Sequence, residues 1–114
     1  MQQSDTSDAP PLAQLQRAVQ AWADEHWDGE FWPPLGNLAR LTEEVGELAR
    51  AINQMDGQKR LKPGEAGADM AQEIADVLFV LLCLANSTGV DAQSAWDATV
   101  ERSHQRARHA RGLT

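Results

Sequence analysis

Residues 41–48 read LTEEVGEL and residues 73–79 read EIADVLF. In each stretch two acids stand three apart, Glu44 with Glu47 and Glu73 with Asp76, inside otherwise apolar sequence. That spacing puts both members of a pair on one face of an α-helix. Around the first pair, Leu38, Leu41, Val45, Leu48, Ile52 and Met55 alternate spacings of three and four. This predicts a helix over 35–55 with an apolar seam against another helix. With Leu41 set at 0°, Glu44 falls near −60° and Glu47 near −120°, while Glu43 lies roughly 160° away, on the far side. Gly46 interrupts the helix at about 1 kcal/mol relative to alanine, which close approach of a neighbouring helix would explain.

Around the second pair, every residue from Ile74 to Ala85 except Asp76 is apolar. A helix over 70–87 with that pattern must be covered on all sides. Four helices can hardly cover it within one chain, so a second subunit is expected to. Asp69 and Asp91 are suited to cap the third and fourth helices, and Gly89 to end the third.

Further out, Leu12, Leu15, Val19 and Trp22 mark an amphipathic helix over 12–26. Residues 28–34 (DGEFWPP) form a loop unusually rich in aromatic side chains, and residues 56–69 form a long loop carrying Lys59, Arg60 and Lys62. A last helix follows Asp91 and runs to about Ala110, with Ala92, Ala95, Trp96, Thr99 and Val100 inward and a basic end that suits a helix C-terminus. Residues 1–11 read as a flexible tail, although Pro11 also suits a helix's first turn. Residues 12–114 then form a single all-α domain, a four-helix bundle without strands or repeats.

Composition narrows the function classes. The chain has 10 Lys and Arg against 17 Asp and Glu, a formal charge of −7, which disfavours a nucleic-acid partner and favours metal cations. Its single cysteine, Cys83, lies between leucines and reads as core; it permits no internal disulfide. The longest apolar run has nine residues, Val77 to Ala85, against about 20 for a membrane span. No secretion signal is visible, and a cytoplasmic protein without a membrane partner is expected.

If the two acidic helices pack antiparallel, Glu44, Glu47, Glu73 and Asp76 converge in a half-buried groove. Four carboxylates there repel one another unless a cation joins them. Oxygen ligands with no nearby cysteine or histidine select Mg²⁺, or Mn²⁺ as a substitute, over zinc. An Asp76 buried in apolar sequence needs a partner of some kind, whether cation, arginine or lysine.

This pattern resembles the MazG-like all-α nucleoside triphosphate pyrophosphohydrolases, whose signature is E-E-x-x-E, a variable gap and E-x-x-D. Here Glu43-Glu44-Val45-Gly46-Glu47 is followed after 25 residues by Glu73-Ile74-Ala75-Asp76. The similarity covers about Leu35 to Arg106. It implies an intertwined dimer or a dimer of dimers, and Mg²⁺-dependent cleavage of (d)NTP to (d)NMP and pyrophosphate, as in nucleotide-pool cleansing. Carried over, Glu44, Glu47, Glu73 and Asp76 are metal ligands, Glu44 and Glu47 also serve catalysis, and Glu43 takes a supporting or general-base role. Arg102 and Arg106, four apart on the last helix, would meet pyrophosphate. Trp32, Phe31 and Trp27 would hold the base, with Trp32 stacking on it and Asn86 bonding base or sugar.

Two other readings stand beside this one. Phosphoribosyl-ATP pyrophosphohydrolases share a similar helical core and related acids. A non-catalytic helical dimer that binds nucleotide or protein is the other, against which the intact acids of both motifs argue. A di-iron bundle needs two E-x-x-H motifs, and only Glu101 with His104 forms one.

Overall fold

Each helix starts where a residue relieves the unpaired donors of its first turn. The computed structural model describes residues 8–57, 62–64, 67 and 69–112. Within them lie α1 (Pro11–His26), α2 (Pro34–Met55), α3 (Met70–Thr88) and α4 (Ala92–Ala110). Pro11 and Pro34 open their helices at positions where a missing N–H does no harm. Asp69 accepts from the backbone N–H groups of Ala71 and Gln72, and Asp91 from that of Ser94. The Ser94 hydroxyl also donates to Asp91 at 2.8 Å. These bonds hold the Asp91 carboxyl below its ordinary range, the Ser94 side chain first and the backbone second. Gly89 ends α3 at φ 72°, a left-handed turn that costs glycine little.

The expected boundaries hold to within a residue, and no strand occurs among the described residues. Pro11 belongs to α1 and not to a tail; residues 1–7 of that tail, and Lys59 and Arg60, lie outside the described residues.

α3 is the centre of the fold, antiparallel to α2 and packed also on α1, while α4 rests on α1. Val19, Leu82 and Cys83 form the core, with Phe31 and Phe79 against it. The expected core place of Cys83 is thus observed, and burial raises its thiol pKa despite the nearby Arg40 charge. Gln16 latches α1 to the α3–α4 turn: its amide donates to Asn86 Oδ1 and to the Val90 carbonyl, both at 2.9 Å. Its own oxygen accepts from the Ala92 N–H at 3.0 Å.

Much apolar surface stays open. Of the seam on α2, Leu38, Val45, Ile52 and Met55 are exposed; the residues buried from that helix are Asn37 and Ala51. The helix is turned so that its acidic flank meets α3 and the Leu38–Val45–Ile52 flank points away. Gly46 is not a close-packing point within the chain, since a Cβ there would meet nothing within 4 Å. The full covering expected of α3 is not met within the chain: Ile74, Leu78 and Leu81 are exposed. Trp96, expected inside, is 57% exposed, and α4 buries no residue. An apolar cleft of about 620 Å³ opens between α3 and α4, lined by Leu78, Leu81, Leu82, Ala95 and Trp96. The radius of gyration is 18.2 Å, whereas a compact chain of this length has about 13 Å.

By length and composition alone α3 could cross a membrane. Core helices of bundles share that length and composition; α3 carries Glu73 and Asp76 in its first two turns and packs on α1 and α2.

Candidate active site

α2 and α3 run antiparallel, so residues one turn apart on one helix meet residues one turn apart on the other in reverse order. Arg40 lies over Phe79, and one turn further along α2, Glu44 meets the level of Glu73 and Asp76. Carboxylate oxygens of Glu44, Glu73 and Asp76 all lie within 4.8 Å of one another. All three side chains are half-buried. Asp76 also accepts a bond from Gln72 Nε2 at 2.8 Å.

Such a cluster is electrostatically costly. Burial first, then the charges of Asp76, Glu47, Glu44 and Asp69, push the Glu73 carboxyl above its ordinary value. Glu47 therefore belongs to the same field but not to the close group. It is exposed at the rim and pairs with Arg50 at 3.8 Å. The structure does not bring Glu43 to the group; that side chain is exposed, as its place on the helical wheel requires. The set of hard oxygen donors fits Mg²⁺ or Mn²⁺.

The aromatic residues converge one turn away. Trp27 stacks on Trp32 with centroids 6.1 Å apart and planes 13° apart. Its ring also meets those of Trp22 and Phe31 edge-on, at 4.5 and 6.3 Å. Trp22 in turn meets Phe79 edge-on at 5.3 Å. Arg40 closes this circuit, its Cζ 5.4 Å from the Trp32 centroid and 5.9 Å from that of Phe79.

The loop that carries these rings is tightly built. Gly29 donates to the Ala23 carbonyl at φ 77°, and a Cβ there would meet Asp24 Oδ1 at 2.9 Å. Buried Asn37 donates to the Trp32 carbonyl at 3.1 Å and so ties the loop to α2.

Phe31, Trp32 and Asn86 line a cavity of about 380 Å³ together with Gln20 and Ser87. Asn86 is also part of the latch: its Oδ1 accepts from Gln16, and its Nδ2 donates to the Gln16 carbonyl at 2.9 Å. Arg102 and Arg106 are exposed on α4, and Arg102 bonds Thr99 on its own helix at 3.1 Å. Within one chain they are not brought to the acids.

Sequence reasoning gave no role to Arg40 or Asn37. The available signal was a polar residue on the acidic flank of α2, one and two turns before Glu44.

The profile of the MazG nucleotide pyrophosphohydrolase domain matches residues 33–111, which hold the acids, Arg40 and the last helix. The chain belongs to the MazG nucleotide pyrophosphohydrolase family. Enzymes of this family are hydrolases of pyrophosphate bonds and are generally metal-dependent. YpjD, an uncharacterized protein of Bacillus subtilis, is 41% identical over 95 residues, covering 83% of this chain and 85% of its own. YvdC, also uncharacterized and from the same organism, is 28% identical over 101 residues, covering 81% and 95%.

Solved structures agree on the four-helix MazG fold. The Bacillus-conserved MazG protein, a nucleotide pyrophosphohydrolase, superposes with a TM-score of 0.67 at 35% identity, covering 83% of this chain and 90% of its own. The YpjD pyrophosphatase candidate from Bacillus subtilis gives 0.70 at 39% identity, covering 88% and 97%.

Proposed function

We propose that this chain is a Mg²⁺-dependent nucleoside triphosphate pyrophosphohydrolase that yields a nucleoside monophosphate and pyrophosphate. The observation that supports it most is the meeting of Glu44, Glu73 and Asp76 within 4.8 Å across two helices. Three carboxylates held so close, with the Glu73 proton affinity raised, suit a site organised around a divalent cation. Glu44, Glu73 and Asp76 would hold it, with Glu47 as the fourth acid at the rim. When bound, such a cation supplies positive charge that offsets the triphosphate and polarises its phosphoryl oxygens.

The chain's own residues do the rest. Water attacks the α-phosphorus, and the bond to the bridging oxygen of the β-phosphate breaks. The proton lost by the water passes to a carboxylate that orients it, a role suited to Glu47, which is exposed one turn from Glu44. The base sits in the cavity lined by Phe31, Trp32 and Asn86, with Trp27 behind Trp32.

The working form is a homo-oligomer, a dimer or a dimer of dimers. The uncovered flanks of α2 and α3, the open cleft and the extended shape all support a second copy. A partner's α4 would then carry Arg102 and Arg106 toward the pyrophosphate end.

The test is a screen of the eight common ribo- and deoxyribonucleoside triphosphates with and without Mg²⁺, with products separated by ion exchange. The expected products are monophosphate and pyrophosphate, formed only with the metal. Diphosphate and orthophosphate, or no turnover of any of the eight, would overturn the proposal.

A further inference from the structure

Arg40 stands out because, although it borders the acid cluster, no carboxylate among the described residues pairs with it directly. It lies on the flank of α2 that faces α3, half-buried, one turn before Glu44. Among the described residues it makes no ion pair and no hydrogen bond, whereas Arg50 on the same helix pairs with Glu47. Its contacts are with π-faces, Trp32 on one side of the groove and Phe79 on the other. Such contacts hold a guanidinium in place while leaving its N–H edge free for acceptors in its plane.

Position narrows what that acceptor is. Phe79 stands one turn after Asp76, and Arg40 one turn before Glu44, so the guanidinium borders the acid cluster on the side of the aromatic cavity. A nucleotide spanning acids and cavity would bring its innermost phosphate past this point. A base does not stack on this guanidinium, because Trp32 and Phe79 already lie against it. A phosphate oxygen needs in-plane donors, which Arg40 has to spare.

Resting on the hydrolase reading above, we propose that Arg40 is a substrate-binding residue that grips the α-phosphoryl group, the part of the substrate retained in the monophosphate product. In an acidic groove this cation also offsets charge that builds on the non-bridging oxygens during attack.

The experiment measures binding by tryptophan fluorescence in the presence of Mg²⁺, which Trp32 beside Arg40 makes sensitive. The probes are the monophosphate and the unphosphorylated nucleoside of each common base. Arg40→Gln is expected to weaken monophosphate binding by about 10- to 100-fold, the worth of a charge-assisted hydrogen bond, and to leave nucleoside binding unchanged. Arg40→Lys, which keeps a point charge but loses the planar fork, is expected to fall between. It also serves as the test should Arg40→Gln not fold, as judged by thermal melting.

Equal monophosphate affinity in wild type and variants overturns the proposal. So does a loss shared equally by nucleoside and monophosphate, which would make Arg40 a clamp on the aromatic circuit. Because binding is read without turnover, a wild type that cleaves no triphosphate defeats the hydrolase reading, while the binding comparison still decides Arg40.

Discussion

The two flanks of α2 lie side by side and carry opposite chemistry. The flank with Asn37, Arg40, Glu44 and Ala51 packs on α3, and the flank with Leu38, Val45 and Ile52 faces outward. In a self-contained bundle the apolar flank would be the inner one. Here the polar flank is inside, which is what the proposed groove for a charged ligand would need, since side chains are held between helices. The apolar flank stays uncovered within the chain. On the proposed reading, site and assembly occupy adjacent faces of one helix, and each can be perturbed separately.

The largest effect is expected on the polar flank. Glu44→Ala or Asp76→Ala should lower kcat/KM by about 10²- to 10³-fold, since several kcal/mol of charge stabilisation depend on a complete acid set. Light scattering should show an unchanged assembly. Loss of assembly in these variants would mean that the two flanks are not separable.

Next in size is the reverse perturbation. Val45→Asp combined with Ile52→Asp places two charges on the outward flank, and self-association should weaken by at least about 100-fold in analytical ultracentrifugation. A wild type that sediments as a monomer, or a variant that associates as before, would remove the assembly role of this flank.

A smaller effect concerns pH. The Glu73 carboxyl keeps its proton above its ordinary value of 4.5 in the folded chain. Between that value and the raised one, the folded state binds more protons than the unfolded state, so stability falls as pH rises through this window. Glu73→Gln should therefore raise the melting temperature of metal-free protein at neutral pH and give no advantage below about pH 4. Added Mg²⁺ should stabilise the wild type more than the variant. Melting curves across pH, with and without the metal, check both statements.

The smallest effect is at Gly46, which faces neither flank closely. Gly46→Ala should stabilise the protein by about 0.5–1 kcal/mol in denaturant titration, because helix propensity improves and nothing stands within 4 Å of the new carbon. A destabilised variant would show that the assembled protein packs there.

Helix positions were legible in the sequence because they depend on local signals: Pro11 at a first turn, Asp69 and Asp91 as caps, Gly89 as a stop. Pro34, read as the end of the loop, is instead the first residue of α2. The acidic pairs were legible from their spacing alone. Which flank of α2 turns inward was not, since an apolar stripe says that a face is covered but not by what. Glu44 and Glu47 are equivalent in the motif, yet about 60° of helical rotation separates a half-buried side chain from one at the rim. Trp96 and the inner face of α4 were misassigned to the chain's own core for the same reason as the seam: periodicity does not distinguish a face covered within the chain from one left open. Arg40 lies within the stretch that resembles the family, yet the sequence attaches no role to it, because its meaning depends on Trp32 and Phe79 arriving from elsewhere.

The most direct test is a crystal grown with Mn²⁺ and examined for anomalous scattering at the manganese edge. A peak bonded to oxygens of Glu44, Glu73 and Asp76 is expected, lost in the Asp76→Ala crystal. Manganese bound elsewhere, with these three side chains turned apart, would contradict the proposed metal site.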